Sequence, residues 1–115
     1  MDIQAKLFNI SDEEKIKLSI KTKDKEIIAH LSHEQNWKIR LNISQNDKTP
    51  VKVLLALTKD KNNTVVEAAI FSLSTRNFSA RDLNGTFEGV KVKEIIEGYK
   101  NTSLKNDRIS KLLKD

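Results

Sequence analysis

Apolar residues recur along this chain at helical rather than strand spacing. Val66, Ala69, Ile70 and Leu73 fall at i, i+3, i+4 and i+7, and Val92, Ile95, Ile96 and Tyr99 repeat the pattern. The spacing predicts helices near 12–21, 24–32, 37–45, 50–59, 65–75, 80–84, 89–100 and 107–114. Local start signals agree. Ser11-Asp12-Glu13-Glu14 and Thr64-Val65-Val66-Glu67 have the capping-box form, and Thr49-Pro50 sets an N-cap before a proline at the first helical position. Ser79 is a further candidate cap, and Asn84-Gly85 is a turn signal. Between residues 84 and 92 a helix from Gly89 is preferred over a small hairpin at 86–92.

The apolar positions also repeat over a longer distance. Leu31, Leu57 and Leu83 stand 26 residues apart, and each precedes a polar link and a second apolar pair. Ile39, Val66 and Val92 correspond at steps of 27 and 26, as do Ile43, Ile70 and Ile96. Each unit then reads as two short helices, neither of which buries its apolar face alone; stacking does that. The expected architecture is all-α: a short right-handed α–α superhelix of about three imperfect 26–27-residue helical-pair repeats with helical caps. One domain spans 1–115, with an N-terminal helical cap at 1–23, repeats at 24–100 and a C-terminal capping helix at 101–115.

Two stretches carry a family resemblance. One is Asn46-Asp47-Lys48-Thr49-Pro50-Val51-Lys52-Val53-Leu54-Leu55-Ala56-Leu57-Thr58-Lys59-Asp60 followed by Val65-Val66-Glu67, and the other is Trp37-Lys38-Ile39-Arg40. Over Trp37 to Asn77 the chain resembles the leucine-rich repeat variant and related HEAT-like families. The resemblance implies a curved stack of short helices used as a binding surface. It also implies a link-to-helix corner for Trp37, where a buried anchor is preferred over an exposed hot spot. The iron–sulfur centre of one branch of the family needs cysteines, which this chain lacks.

Composition narrows the chemistry. With no cysteine, thiolate catalysis and zinc ribbons are excluded. No run of about 18 apolar residues predicts a membrane span, and no apolar stretch follows the N-terminal residues, so the expected location is cytoplasmic. The net charge of +5 invites a phosphate-bearing partner, yet 17 of the 21 basic residues are Lys and four are Arg. Arginine is the side chain that reads phosphate and base edges bidentately, so the charge argues only weakly for nucleic acid.

No catalytic constellation emerges. Gly85, Gly89 and Gly98 form no phosphate-wrapping loop, and no nucleophile elbow is present. His30, His33 and Glu34 share one helix end without the His-Glu-x-x-His spacing, and read as polar residues near a C-terminal dipole rather than metal ligands. No cofactor or metal is expected. The leading expectation is a non-enzymatic module that binds another protein through Trp37, Lys38, Arg40, Asn42, Glu67 and Lys93. The alternative is nucleic-acid binding with phosphate contacts from Lys48, Lys52, Lys59, Lys61, Arg76 and Arg81, together with Lys38 and Arg40. Arg40, Glu67 and Lys93 share one repeat position with alternating sign, which predicts an exposed charge ladder.

The register makes a stability prediction. Leu57 falls in the core where the first two units meet, so Leu57→Ala should lower unfolding free energy by about 2–5 kcal/mol in a denaturant titration. A loss under about 0.5 kcal/mol is the mark of an exposed site and would displace the register.

Overall fold

The computed structural model of the chain describes Leu7 and residues 9–101. Its elements are α1 (Asp12–Lys21), α2 (Lys25–Leu31), α3 (Trp37–Gln45), α4 (Val51–Leu57), α5 (Asn63–Thr75), α6 (Ala80–Leu83), β1 (Thr86–Phe87) and β2 (Val90–Lys91), with a helical stretch α7 described over 92–101. The described chain is thus mostly helical, as the apolar spacing requires. The helix expected at 107–114 lies outside the described residues. The backbone divides within α5 into two compact units, 1–72 and 73–115.

Helix starts follow from side chains that accept the first free N–H groups. Ser11 Oγ accepts from Glu14 N, and Ser79 Oγ accepts from Asp82 N, both at 3.2 Å. Asp24 Oδ1 takes Glu26 N and Ile27 N, and Asn36 Oδ1 takes Lys38 N. Two expected caps are corrected. Asn62, not Thr64, caps α5, because its Oδ1 accepts from Thr64 N at 2.9 Å and Val65 N at 3.3 Å. Thr49 is buried and its Oγ1 donates to the Ile43 carbonyl at 2.6 Å, so it closes α3 while Pro50 takes the cap position of α4.

In the first unit, α1 lies along α3, and polar side chains fix their sense. Asn36 Nδ2 reaches Asp12 near the two starts, Asn42 Nδ2 donates to the Ile16 carbonyl midway, and Asn46 Nδ2 donates to the Ser19 and Thr22 carbonyls at the ends. The two helices therefore run parallel. α5 continues the row beside α3, with Ser72 Oγ donating to the Ser44 carbonyl at 2.6 Å. Ser19 and Ser44 are fully buried, small enough for the helices to approach. The connecting helices α2 and α4 close the core, in which Ile28, Leu31, Ile39, Ile43, Leu57, Val65 and Ala69 cluster. Leu57 is 4% exposed, as the register demands.

Equivalent bonds recur 26 residues apart. Ser32 Oγ donates to the Ala29 carbonyl and Thr58 Oγ1 to the Leu55 carbonyl; Asn36 and Asn62 are both caps. Ser32, His33 and Glu34 amides bond Ile28, His30 and Leu31, while Thr58, Lys59 and Asp60 amides bond Leu54, Ala56 and Leu57. The two links have one length, so the step is 26 throughout. Ile39 then corresponds to Val65 and Ile43 to Ala69, all four buried, whereas Val66 and Ile70 are only half-buried. The 27-residue step expected there is corrected by one position.

The second unit follows the same turn only as far as Gly85, whose amide bonds the Asp82 carbonyl. Leu83 is half-buried rather than buried. A hairpin then replaces the link: Thr86 pairs with Lys91 and Phe87 with Val90, antiparallel. Its two-residue loop has positive φ at Glu88 (52°) and Gly89 (81°), the left-handed pair that a tight hairpin needs. Residues 89–91 are thus not helical, and α7 begins at Val92, which is buried along with Ile96 and Leu73.

Asn46 is 4% exposed and makes the bonds that lock the ends of α1 and α3. Asn46→Ala should cost about 1–3 kcal/mol, the usual penalty for leaving buried polar groups unpaired. Gln45→Ala, next to it on the exposed side, should change stability by under about 0.5 kcal/mol in the same denaturant titration.

Candidate partner-binding groove

The residues expected to meet a partner divide sharply. Lys38, Glu67 and Lys93 are exposed, and Trp37 is 39% exposed rather than buried as an anchor. Asn42 is half-buried and donates to Ile16. Arg40 is not a surface residue. Its Nε and Nη2 donate to the two Asp60 carboxylate oxygens at 2.8 and 3.1 Å, and its Nη1 donates to the Glu34 and Gln35 carbonyls at 2.6 and 2.8 Å. Both side chains of the ion pair are under 10% exposed, at 6% and 8%. The exposed ladder through Arg40, Glu67 and Lys93 does not form, because the planar guanidinium fork is taken up by a carboxylate that approaches in its own plane.

A different charge pattern takes its place. Lys15 on α1 pairs with Glu34 at 3.0 Å, and Arg40 on α3 pairs with Asp60. Glu34 and Asp60 are 26 residues apart, so each link returns an acid to a cation on the parallel row. Burial raises the Asp60 carboxyl, but the Arg40 hydrogen bond, the Asn62 N–H and the Arg40 and Lys61 charges outweigh it and hold the group below its ordinary 3.8.

Between α2 and α4 the surface opens into a recess of about 320 Å³. Its lining is Ala29, Ser32 and His33 from one side, and Lys52, Val53, Ala56, Leu57 and Asp60 from the other. A second recess of about 290 Å³ shares Ser32, His33 and Asp60 and adds Glu34, Gln35, Arg40 and Lys61. The two make one trough along the connecting helices and over the links. Alanine makes the trough: Lys52, Ala56 and Lys59 fall at i, i+4 and i+7 on the exposed side of α4, and the missing side-chain bulk at Ala56 leaves the space. Both acids in the lining, Glu34 and Asp60, are already paired with cations.

Of the phosphate-contact candidates, Lys48, Lys52, Lys59 and Lys61 are exposed on α4 and its two flanks. Arg76 and Arg81 belong to the second unit. His30 and His33 are exposed on α2 and the turn after it, and no group of three His, Asp or Glu that could hold a metal ion occurs among the described residues. No described helix is long and apolar enough to cross a membrane. Phe71, 68% exposed on α5, was not among the sequence candidates; the only sequence signal for it is its place i+4 from exposed Glu67. No protein family, curated protein or solved structure matches this chain.

Asp60→Asn leaves the buried Arg40 guanidinium without its counter-charge and should cost about 3–5 kcal/mol near neutral pH. The folded-state pKa of Asp60 is depressed, so its stabilisation is complete above the unfolded value and is lost as pH falls through the folded one. The gap between wild type and Asp60→Asn should therefore narrow below pH 3.8 in paired denaturant titrations. A constant gap would mean that the carboxylate charge contributes nothing.

Proposed function

We propose that this chain is a non-catalytic interaction module that binds another protein, built as a short right-handed helical superhelix of the leucine-rich-repeat-variant or HEAT-like kind. The observation that carries the reading is the parallel row α1, α3, α5 joined by α2 and α4, with matching bonds 26 residues apart. A stack of this kind leaves each helix row with a solvent face whose side chains are not needed for the fold. One face presents Trp37, Lys38, Glu67 and Phe71, and the connecting row presents the trough. Aromatic residues of the first face suit a protein contact, where buried Trp and Phe anchors dominate binding.

Nucleic-acid binding is the second reading, favoured by the four lysines that bracket α4. It is weakened by Arg40, the best-placed phosphate reader in the sequence, which is turned inward to Asp60. Phosphate contacts made by lysine alone position a duplex without reading it, and they fade with salt as counterions return.

A photo-crosslinking residue placed at Lys38, Glu67 or Lys52 in cells of the native host should yield discrete protein adducts. Only nucleic-acid adducts, or none at any of the three positions, would overturn the reading. In parallel, anisotropy on a generic duplex and a single strand should show weak binding that vanishes near 150 mM salt; a Kd below about 1 μM there exceeds ordinary nonspecific affinity and supports nucleic acid instead.

A further inference from the structure

We infer that the trough between α2 and α4 binds an extended acidic segment of a partner protein, one that alternates carboxylates with small apolar side chains. The inference rests on the protein-binding reading above and deepens it.

Charge complementarity identifies the occupant. Lys52 lines the first recess only and Lys61 the second only, so cationic groups stand at separate places along the trough, with His33 between them in both. The lining acids do not offset these charges. Asp60 is bound bidentately by Arg40 and Glu34 is bound by Lys15. A ligand therefore meets a rim of positive sign over a floor neutralised from within. Lys48 and Lys59 extend that sign beyond the lining, whereas Glu26 at the start of α2 is the nearest opposing exposed acid on the connecting row.

The floor selects against nucleic acid. Ala29, Val53, Ala56 and Leu57 present methyl groups in a space of about 320 Å³, the lower end of the range for pockets that take small side chains. No aromatic ring lines either recess, so bases have nothing to stack on. The one arginine in the lining is turned to Asp60 and two carbonyls. An alternating Glu-Ala segment matches both features, with methyl groups on the alanine floor and carboxylates at Lys52 and Lys61.

The test uses the 115-residue chain and a fluorescein-labelled Glu-Ala peptide of about ten residues, with a Lys-Ala peptide and an oligo-dT of matched charge as comparators, read by anisotropy at about 50 mM salt where Debye screening is modest. The Glu-Ala peptide should bind and the Lys-Ala peptide should not. Lys52→Glu with Lys61→Glu should weaken binding by about tenfold or more, while Lys17→Glu with Lys38→Glu, a matched change in net charge on the parallel row, should weaken it by under about threefold. Ala56→Trp, filling the trough without altering charge, should abolish binding with the helical CD spectrum retained. Equal losses from the two charge reversals, full binding by Ala56→Trp, no peptide binding, or tighter binding of oligo-dT than of the peptide would each overturn the assignment. Protein adducts in the crosslinking experiment without peptide binding here would discard the acidic ligand and keep the protein-binding reading.

Discussion

The corner formed by Arg40 and Asp60 holds the first unit together. A single guanidinium spans from α3 to the link before α5 and also takes the two free carbonyls at Glu34 and Gln35 in the link before α3. Two consecutive links thus meet on one side chain. Burying the pair costs desolvation on both partners, and its Coulomb energy offsets that cost only because every donor direction is filled. Asp60 also accepts from Asn62 N, so the acid that anchors Arg40 shapes the turn whose Asn62 then caps α5. Ion pair, turn and helix start are one connected network, and the trough has it as part of its floor.

Away from that corner, the parallel row is held by side-chain amides and hydroxyls more than by large apolar contacts. Helix ends leave carbonyls unpaired, and a neighbouring helix that arrives in the same sense presents its own end beside them. Asn46 donates to two such carbonyls of α1, and Thr49 closes α3 at the same level. Serine at positions 19 and 44 allows the approach and satisfies its own hydroxyl on the preceding turn. Apolar burial is concentrated instead on the side facing α2 and α4, where Ile28, Leu31, Ile39 and Ile43 are fully buried. The row resists sliding because amide bonds are directional, whereas apolar contact alone tolerates slippage.

Much of this frame was legible from local chemistry, and the losses have local causes. The spacing of apolar residues gave α1 and α3 to the residue, and Ser11 and Ser79 cap as their patterns say. Thr64-Val65-Val66-Glu67 imitates a capping box, but the Asn62 amide oxygen two residues earlier reaches the same N–H groups first and starts the helix at Asn63. The hairpin at 86–91 was outweighed by the apolar period around it, since Glu-Gly is a weaker hairpin signal than Asn-Gly. The fate of Arg40 was not readable at all. Its partner lies 20 residues on, a tertiary distance at which charge pattern along a helix says nothing. The trough was invisible for the same reason, since it is made by what Ala29 and Ala56 lack.

Comparing the two complete copies of the 26-residue segment separates frame from surface. Buried pairs stay apolar: Ile28 with Leu54, Leu31 with Leu57, Ile39 with Val65, Ile43 with Ala69. Link pairs keep their hydrogen-bonding type: Ser32 with Thr58, Glu34 with Asp60, Asn36 with Asn62. Outward pairs change character altogether: Glu26 with Lys52, His33 with Lys59, Lys38 with Thr64, Gln45 with Phe71. Positions that the fold constrains are the ones that agree, so the divergent set is where chemistry is unconstrained by packing and available to a partner. Along the connecting row that divergence moves from Glu26 toward Lys52, Lys59 and Lys61, so its positive sign gathers on the α4 side of the trough. On the parallel row it runs instead from the charge and amide of Lys38 and Gln45 to the exposed ring of Phe71. The two faces of one stack have thus acquired different chemistry, electrostatic on one and aromatic on the other, from a frame that is the same beneath both.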